Sequence, residues 1–473
     1  MSQLLRSVSP ADPSDVLGTF PVWDEDAVGE AVVRAREAFP SWRGAGLEAR
    51  AAVLRRFRDG VRSRREELAR LIAREVGKAL WDARAEAALV ASKVDVTLEH
   101  GLAAVADQEA GPGARARFQP RGVLAVLGPF NFPAHLPNGH VVPALATGNT
   151  VVLKPSDLAP AVGDWMARAW RDAGLPPGVL ELVQGGAETG RALALHPDVD
   201  GVLFTGSWSV GRALAEATLD QPGKILALEM GGKNAMVVLE DTDLPLAVVE
   251  AALSLCATTG QRCTSLSRLF VARPLVDDFT KRLAVVLDDL VIGPPLEEGV
   301  FMGPLASRAA FERVTAWRAQ AEAAGGERIY RREINRIAPY LGPSLVRFPS
   351  LRQEHPYQRE EIFGPEAAVY AVDDLDEAIA AVNDSDYGLA ASVMTGDRAR
   401  FEHCVGRIRT GILNWNRGTV GASGRLPFGG LGRSGNDRPA GISAALYCTW
   451  PQAQLEHAGG LDPAALPPGV PRA

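Results

Sequence analysis

Apolar positions recur at three-to-four spacing from about residue 25 to about residue 106. They run Ala31, Val32, Val33, Ala35, Ala38 and Phe39, then Leu54, Phe57, Val61, Leu68 and Ile72. That period places them on one face of a helix, so this region is predicted helical, with Pro40 and Gly77 as stops. From Gly122 the rhythm shortens. Apolar runs at Val123–Leu127, Thr150–Leu153, Val179–Val183, Gly201–Phe204 and Ile225–Leu228 alternate with helix-like stretches such as Ala161–Ala173 and Gly186–Leu195. Strands alternating with helices predict βαβ units and an open parallel sheet of the nucleotide-binding kind.

A second series follows. Strand Ala235–Leu239, helix Leu244–Ala257, strand Leu269–Val271 and helix Val276–Leu290 are followed by strand Ala367–Val372, helix Leu375–Val382 and strands Ala390–Met394 and Gly411–Asn414. This predicts a second α/β domain. Gly111-Pro112-Gly113 ends the helical region and introduces a strand at Ala116–Gln119. The Pro- and Gly-rich end, Gly459 to Ala473, is expected to fray.

At 473 residues, two or three domains are expected. A net charge of −7 gives no reason to expect a nucleic-acid partner. The basic cluster around Arg55, Arg56, Arg58, Arg62, Arg64 and Arg65 is interleaved with acids and reads as a solvated helix face. Four cysteines without CxxC spacing argue against a disulfide framework or a zinc site. No apolar run approaches the length of a membrane span, and the start lacks a signal-peptide core. A cytoplasmic enzyme is the expectation.

The chemistry concentrates in two segments. Leu228-Glu229-Met230-Gly231-Gly232-Lys233 offers a carboxylate beside a glycine turn, and Gly260-Gln261-Arg262-Cys263-Thr264 offers a thiol among small and polar residues. A thiol attacks a carbonyl as its thiolate, and a nearby carboxylate can take its proton and later activate a water. A thiohemiacetal made this way can lose hydride to give a thioester, which that water hydrolyses. Cys256, Cys404 and Cys448 lie in ordinary apolar or mixed stretches and read as core residues. A cysteine hydrolase would share the thioester.

Other segments in order along the chain are Gly128-Pro129-Phe130-Asn131-Phe132-Pro133, Lys154-Pro155-Ser156-Asp157, Gly206-Ser207-Trp208-Ser209-Val210-Gly211, Glu361-Ile362-Phe363-Gly364-Pro365 and Pro427-Phe428-Gly429-Gly430. Each alone reads as a turn or a helix start. Together with Glu229 and Cys263, they resemble the NAD(P)-dependent aldehyde dehydrogenase superfamily over about residues 15–456. The resemblance implies an α/β fold of two open Rossmann-like domains with a small β bridging arm for oligomerisation. The nucleotide-binding domain would be 1–101 and 121–232, the catalytic domain 233–440, the arm 102–120 and 441–457, and the tail 458–473. A strand pair common at the start of the family is expected to be missing here.

The resemblance also implies roles. Cys263 would be the nucleophile, Glu229 the base, and Asn131, with the Cys263 backbone N–H, the oxyanion donor. NAD would be held by Phe130, Lys154, Ser156, Asp157, Gly206, Ser207, Gly211, Glu361 and Phe363. A carboxylate at Asp157 disfavours a 2′-phosphate, but it is a methylene shorter than the family's usual Glu, so NADP stays open. No metal is implied, and His135 and His140 lack the spacing of a helical metal pair. A homodimer or homotetramer is implied.

A finer resemblance rests on Asn131–His140, Gly411–Asn416, Ser434–Pro439 and Tyr447–Pro451. These are similar to the N-succinylglutamate 5-semialdehyde dehydrogenases of arginine catabolism, with another ω-semialdehyde as the alternative. Such a small-molecule aldehyde carries carboxylates and needs cations. Arg262, Arg268, Arg417 and Arg425, with His135 in the pocket, are the residues proposed for it.

Overall fold

The computed structural model describes residues 3–337, 339–352, 354–457, 459–460 and 466–471. Half of the tail expected at 458–473 therefore lies outside the described residues. The N-terminal helical region consists of Glu25–Gly44, Gly46–Ser63, Arg65–Val76 and Leu80–Glu99, followed by a short 3-10 turn at Gly101–Val105. Gly77 ends the third helix in the left-handed conformation (φ 75°), as a glycine stop should. Pro40 does not end the first. The helix continues to Gly44 because buried Trp42 anchors its last turn and donates its indole N–H to the Leu145 carbonyl at 3.1 Å.

The helices pack on a five-stranded, all-parallel sheet in the order Leu180–Leu182, Thr150–Lys154, Val123–Leu127, Gly201–Thr205, Ile225–Glu229. Val123–Leu127 is apolar and buried at every position, as a strand covered on both faces must be. Chain order reverses between Val123–Leu127 and Gly201–Thr205, so a crevice opens there at the carboxyl ends of the strands.

The second sheet has seven strands, in the order Glu327–Arg331, Ser344–Arg347, Glu366–Val372, Leu266–Ala272, Asn234–Val238, Ala390–Met394, Ile412–Trp415. Only the edge strand Glu327–Arg331 runs antiparallel to its neighbour. Two apolar clusters, one on each face, bury this sheet. A three-stranded antiparallel sheet joins Ala114–Pro120 to Gln108–Gly111 and to Thr449–Leu455.

The expectation of a missing N-terminal strand pair is corrected. Leu4–Val8 pairs antiparallel with Val16–Pro21. Most of its side chains stay at least partly exposed, so the pair leaves no strong apolar alternation to read. It is tied down instead by polar contacts, with the buried Ser7 hydroxyl donating to Glu75 at 2.5 Å.

Candidate active site

A cavity of about 1070 Å³ runs from the carboxyl ends of the parallel strands to the loop that carries Cys263. Cys263, Glu229, Asn131, Phe130, Lys154, Ser156, Asp157, Gly206, Ser207, Glu361, Phe363, Arg262 and His135 all line it. Gly211 lies just outside, where a Cβ would stand 2.4 Å from the Met230 sulfur, so it sets how closely the helix packs.

The Cys263 loop is held in an unusual backbone path. Thr258, Thr259 and Gly260 are successively left-handed, with φ of 54°, 57° and 68°. Each threonine repays that strain with a hydrogen bond: Thr258 donates to Asp82 at 2.6 Å and Thr259 to the Gly303 carbonyl at 3.0 Å. A Cβ on Gly260 would stand 2.3 Å from the carbonyl carbon of Gly364, so only glycine fits. Gln261 braces the turn by donating to the Thr258 carbonyl and accepting from the Ala306 amide. Asn234 donates to the Cys263 carbonyl at 2.7 Å, tying the loop to the start of the strand Asn234–Val238.

Burial, with the Glu361 and Glu229 carboxyls adding to it, pushes the Cys263 thiol up to about 12. The resting sulfur is therefore a thiol that must be deprotonated to attack. Glu229 ends the edge strand Ile225–Glu229 and is 4% exposed. Burial raises its carboxyl well above the usual range, and the Ala440 N–H only partly offsets this. Its Oε2 has no hydrogen-bond partner. A buried, unsatisfied carboxyl oxygen facing a cavity is what a group that exchanges protons with water or substrate needs.

Asn131 donates its amide to the Gln261 carbonyl at 2.8 Å, which leaves its second N–H for the cavity. Glu361 accepts from the Gly232 N–H at 3.0 Å, and burial raises its carboxyl to about 7. A Cβ on Gly231 would stand 2.1 Å from that carboxylate. Phe363, held at φ 58°, meets Phe130 edge-on with ring centroids 5.8 Å apart.

At the far end, the Lys154 ammonium donates to the Pro155 and Gly185 carbonyls at 2.8 Å each, and burial lowers it to about 8. Asp157 is exposed, and the Ser156 hydroxyl donates to it at 3.3 Å. Ser207 caps the helix Trp208–Ala217 by accepting from the Val210 N–H at 3.4 Å. Gly206, Ser207, Ser209 and Val210 at that helix start line the cavity, and a helix N-terminus suits an anionic group.

The four arginines divide. Arg262 lines the cavity, but its guanidinium is engaged by Asp82 at 2.8 Å and by Thr258. Arg417, expected at the entrance, is exposed and does not line the cavity, whose wall includes Gly421–Gly424 a few residues later. The reading of Arg268 as a substrate cation is corrected. It is buried in the second sheet and donates to the carbonyls of Lys233, Ala381, Val382 and Asp384. Arg425 is exposed and is not on the cavity wall. His140 is structural, bonded to Tyr447 at 2.8 Å and Thr205 at 3.2 Å.

Sequence reading missed Lys93, which lines the same cavity. Its signal was a lysine on the apolar face of a helix: Glu86, Val90, Lys93, Val94 and Thr97 are all buried.

The sequence profile of the aldehyde dehydrogenase family matches residues 2–452. An N-succinylglutamate 5-semialdehyde dehydrogenase of Burkholderia thailandensis is 43% identical over 450 residues, which cover 94% of this chain and 92% of that one. Among solved structures, an NAD-dependent aldehyde dehydrogenase from Sinorhizobium meliloti superposes with a TM-score of 0.92 at 30% identity, covering 98% of this chain and 93% of that one. A 1-pyrroline-5-carboxylate dehydrogenase from Thermus with bound NAD gives 0.90 at 29% identity, covering 96% of this chain and 90% of that one. With a thiol, a buried carboxyl and a helix start on one cavity, and a match over nearly its whole length, the chain belongs to the aldehyde dehydrogenase family.

Proposed function

We propose that this protein oxidises N-succinylglutamate 5-semialdehyde to N-succinylglutamate with NAD as acceptor. The observation that carries the chemistry is the convergence of Cys263, Glu229 and Asn131 on one cavity wall. Identity of 43% over almost the whole chain supports the substrate.

The residues present fit a dinucleotide. Lys154 and Asp157 stand where a ribose would sit, the Ser207 helix start suits a pyrophosphate, and Glu361 with Phe363 borders the part nearest Cys263. When bound, NAD accepts the hydride that leaves the aldehyde carbon. Glu229 takes the Cys263 thiol proton and releases it to solvent; the thiolate bonds to that carbon, and the carbonyl electron pair moves onto oxygen. Asn131 and the Cys263 N–H donate to this oxyanion. Once the carbon is oxidised, a thioester remains on Cys263. Glu229, as carboxylate, takes a proton from water; the hydroxide attacks the thioester and the thiolate leaves.

The domain division follows from this reading: 1–101 and 121–232 bind nucleotide, 233–440 carry the nucleophile, and 102–120 with 441–457 form the oligomerisation arm. Exposed Trp450 and Leu455 on the outer strand of the three-stranded sheet support a homodimer or homotetramer. A nucleophile that must stay a free thiol suits the reducing cytoplasm.

The test is nicotinamide reduction by purified protein with N-succinylglutamate 5-semialdehyde and with propanal. We expect kcat/KM to favour the succinylated substrate at least about a hundredfold, or roughly 2.7 kcal/mol. Equal efficiency would overturn the substrate and leave the dehydrogenase chemistry standing.

A further inference from the structure

The part of the cavity away from the nucleotide end holds a cation that has no carboxylate partner among the described residues. Lys93 lies on the inner face of the helix Leu80–Glu99, lines the cavity and is only 5% exposed. Its ammonium donates to the Gly441 carbonyl at 2.7 Å. Among the described residues, the one acid-forming group that acts on it is the buried Cys448 thiol. Other buried charges in this region are matched inside the protein: Lys78 pairs with Glu86 at 2.5 Å, and Asp82 with Arg262 at 2.8 Å. An ammonium buried without a counter-ion is costly, and burial lowers Lys93 to about 8. An incoming carboxylate would remove that cost.

A second group points the same way. His135 lines the cavity beside Lys93, and its Nδ1 is buried without a hydrogen-bond partner. Its backbone N–H is fixed by Glu86 at 3.1 Å. Burial, followed by the charges of Lys93 and Lys78, keeps the imidazole neutral. Nearby wall residues Leu89, Leu136 and Phe428 are apolar. Reach is suitable too: Lys93 holds the Gly441 carbonyl, while the preceding residue, Ala440, gives its N–H to Glu229. The ammonium and the proposed base therefore grip consecutive residues of one segment, a distance that a short carbon chain can bridge.

We propose that Lys93 selects the acid function of the substrate: its ammonium receives a carboxylate of the aldehyde while the aldehyde carbon sits at Cys263, with His135 as a neighbouring hydrogen-bonding partner. This rests on the reading that the substrate is an anionic semialdehyde. It assigns the discrimination to a helix of the first hundred residues rather than to any of the four arginines weighed from sequence.

The experiment compares kcat/KM for N-succinylglutamate 5-semialdehyde with that for propanal in the wild type, Lys93→Met and Lys93→Arg. The wild-type ratio should be at least about a hundredfold. Lys93→Met should lower it tenfold or more, through KM for the anionic substrate, and competitive inhibition by N-succinylglutamate should weaken in parallel. Lys93→Arg, which keeps the charge, should retain more of the ratio than Lys93→Met. Lys93→Gln, which can still donate to Gly441, serves if the Met variant does not fold. A merely structural role would depress both aldehydes together and leave the ratio in place. A high wild-type ratio that survives in the neutral variants overturns the role of Lys93 alone. A wild type without preference overturns the substrate reading and this proposal with it.

Discussion

The Asn131 side chain donates to the carbonyl of Gln261, two residues before the nucleophile, at 2.8 Å. One amide hydrogen thus fixes the loop, and the other is left for the cavity. Asn131→Ala should lower kcat by about a hundred- to a thousandfold, the usual loss for one oxyanion donor. NAD affinity, read by fluorescence quenching, should hold. A variant that keeps wild-type kcat would remove Asn131 from the reaction.

Cys263→Ser should abolish oxidation while NAD still binds, because an alkoxide forms far less readily than a thiolate at neutral pH. The check is steady-state turnover alongside NAD titration. Stoichiometric labelling of a different cysteine by iodoacetamide, with loss of activity, would contradict the assignment.

Glu229→Gln should leave the first turnover and block the next. A burst of NADH should be followed by an acyl-enzyme visible in intact-mass spectra. No trapped adduct, with an undiminished steady-state rate, would count against Glu229 as the base.

The pH profile follows from burial. Both Cys263 and Glu229 are shifted upward, so the reactive form of each, thiolate and carboxylate, grows as pH rises. The rate should climb through the neutral and mildly alkaline range, with log kcat/KM gaining up to about one unit per pH unit. A profile already flat below neutrality would show that the thiol is ionised at rest.

Asp157→Ala should narrow the preference for NAD over NADP by about tenfold, since the carboxylate repels a 2′-phosphate. The measured quantity is the ratio of kcat/KM for the two cofactors. A wild type that uses both equally would exclude Asp157 from that role.

Legibility tracked how locally each feature was encoded. Val123–Leu127 was readable to the residue because five consecutive apolar side chains are buried on both faces. The motif residues were readable because glycines and prolines frame them, and the structure gathers nearly all of them on one cavity. The helix Arg308–Ala323 went unread, since its inner face carries Arg318, which is buried against Glu366 and breaks the apolar period. Lys93 was hidden for the same reason. Which arginine could serve a substrate was not legible, because burial and partners, not residue type, decide which charge is available: Arg268 is spent on four carbonyls, and Arg262 is engaged by Asp82.

The Asp82–Arg262 ion pair has a consequence for the order of assembly. Its partners stand 180 positions apart, and translation delivers Asp82 first. Until Arg262 emerges, Asp82 has Lys78 of the same N-terminal region as a cationic neighbour but lacks the guanidinium and the Thr258 hydroxyl that hold it in the fold. The helix Leu80–Glu99 therefore gains its remaining polar partners only once the Cys263 loop has been made. The same pair thus links the seating of an N-terminal helix to the shaping of the Cys263 loop.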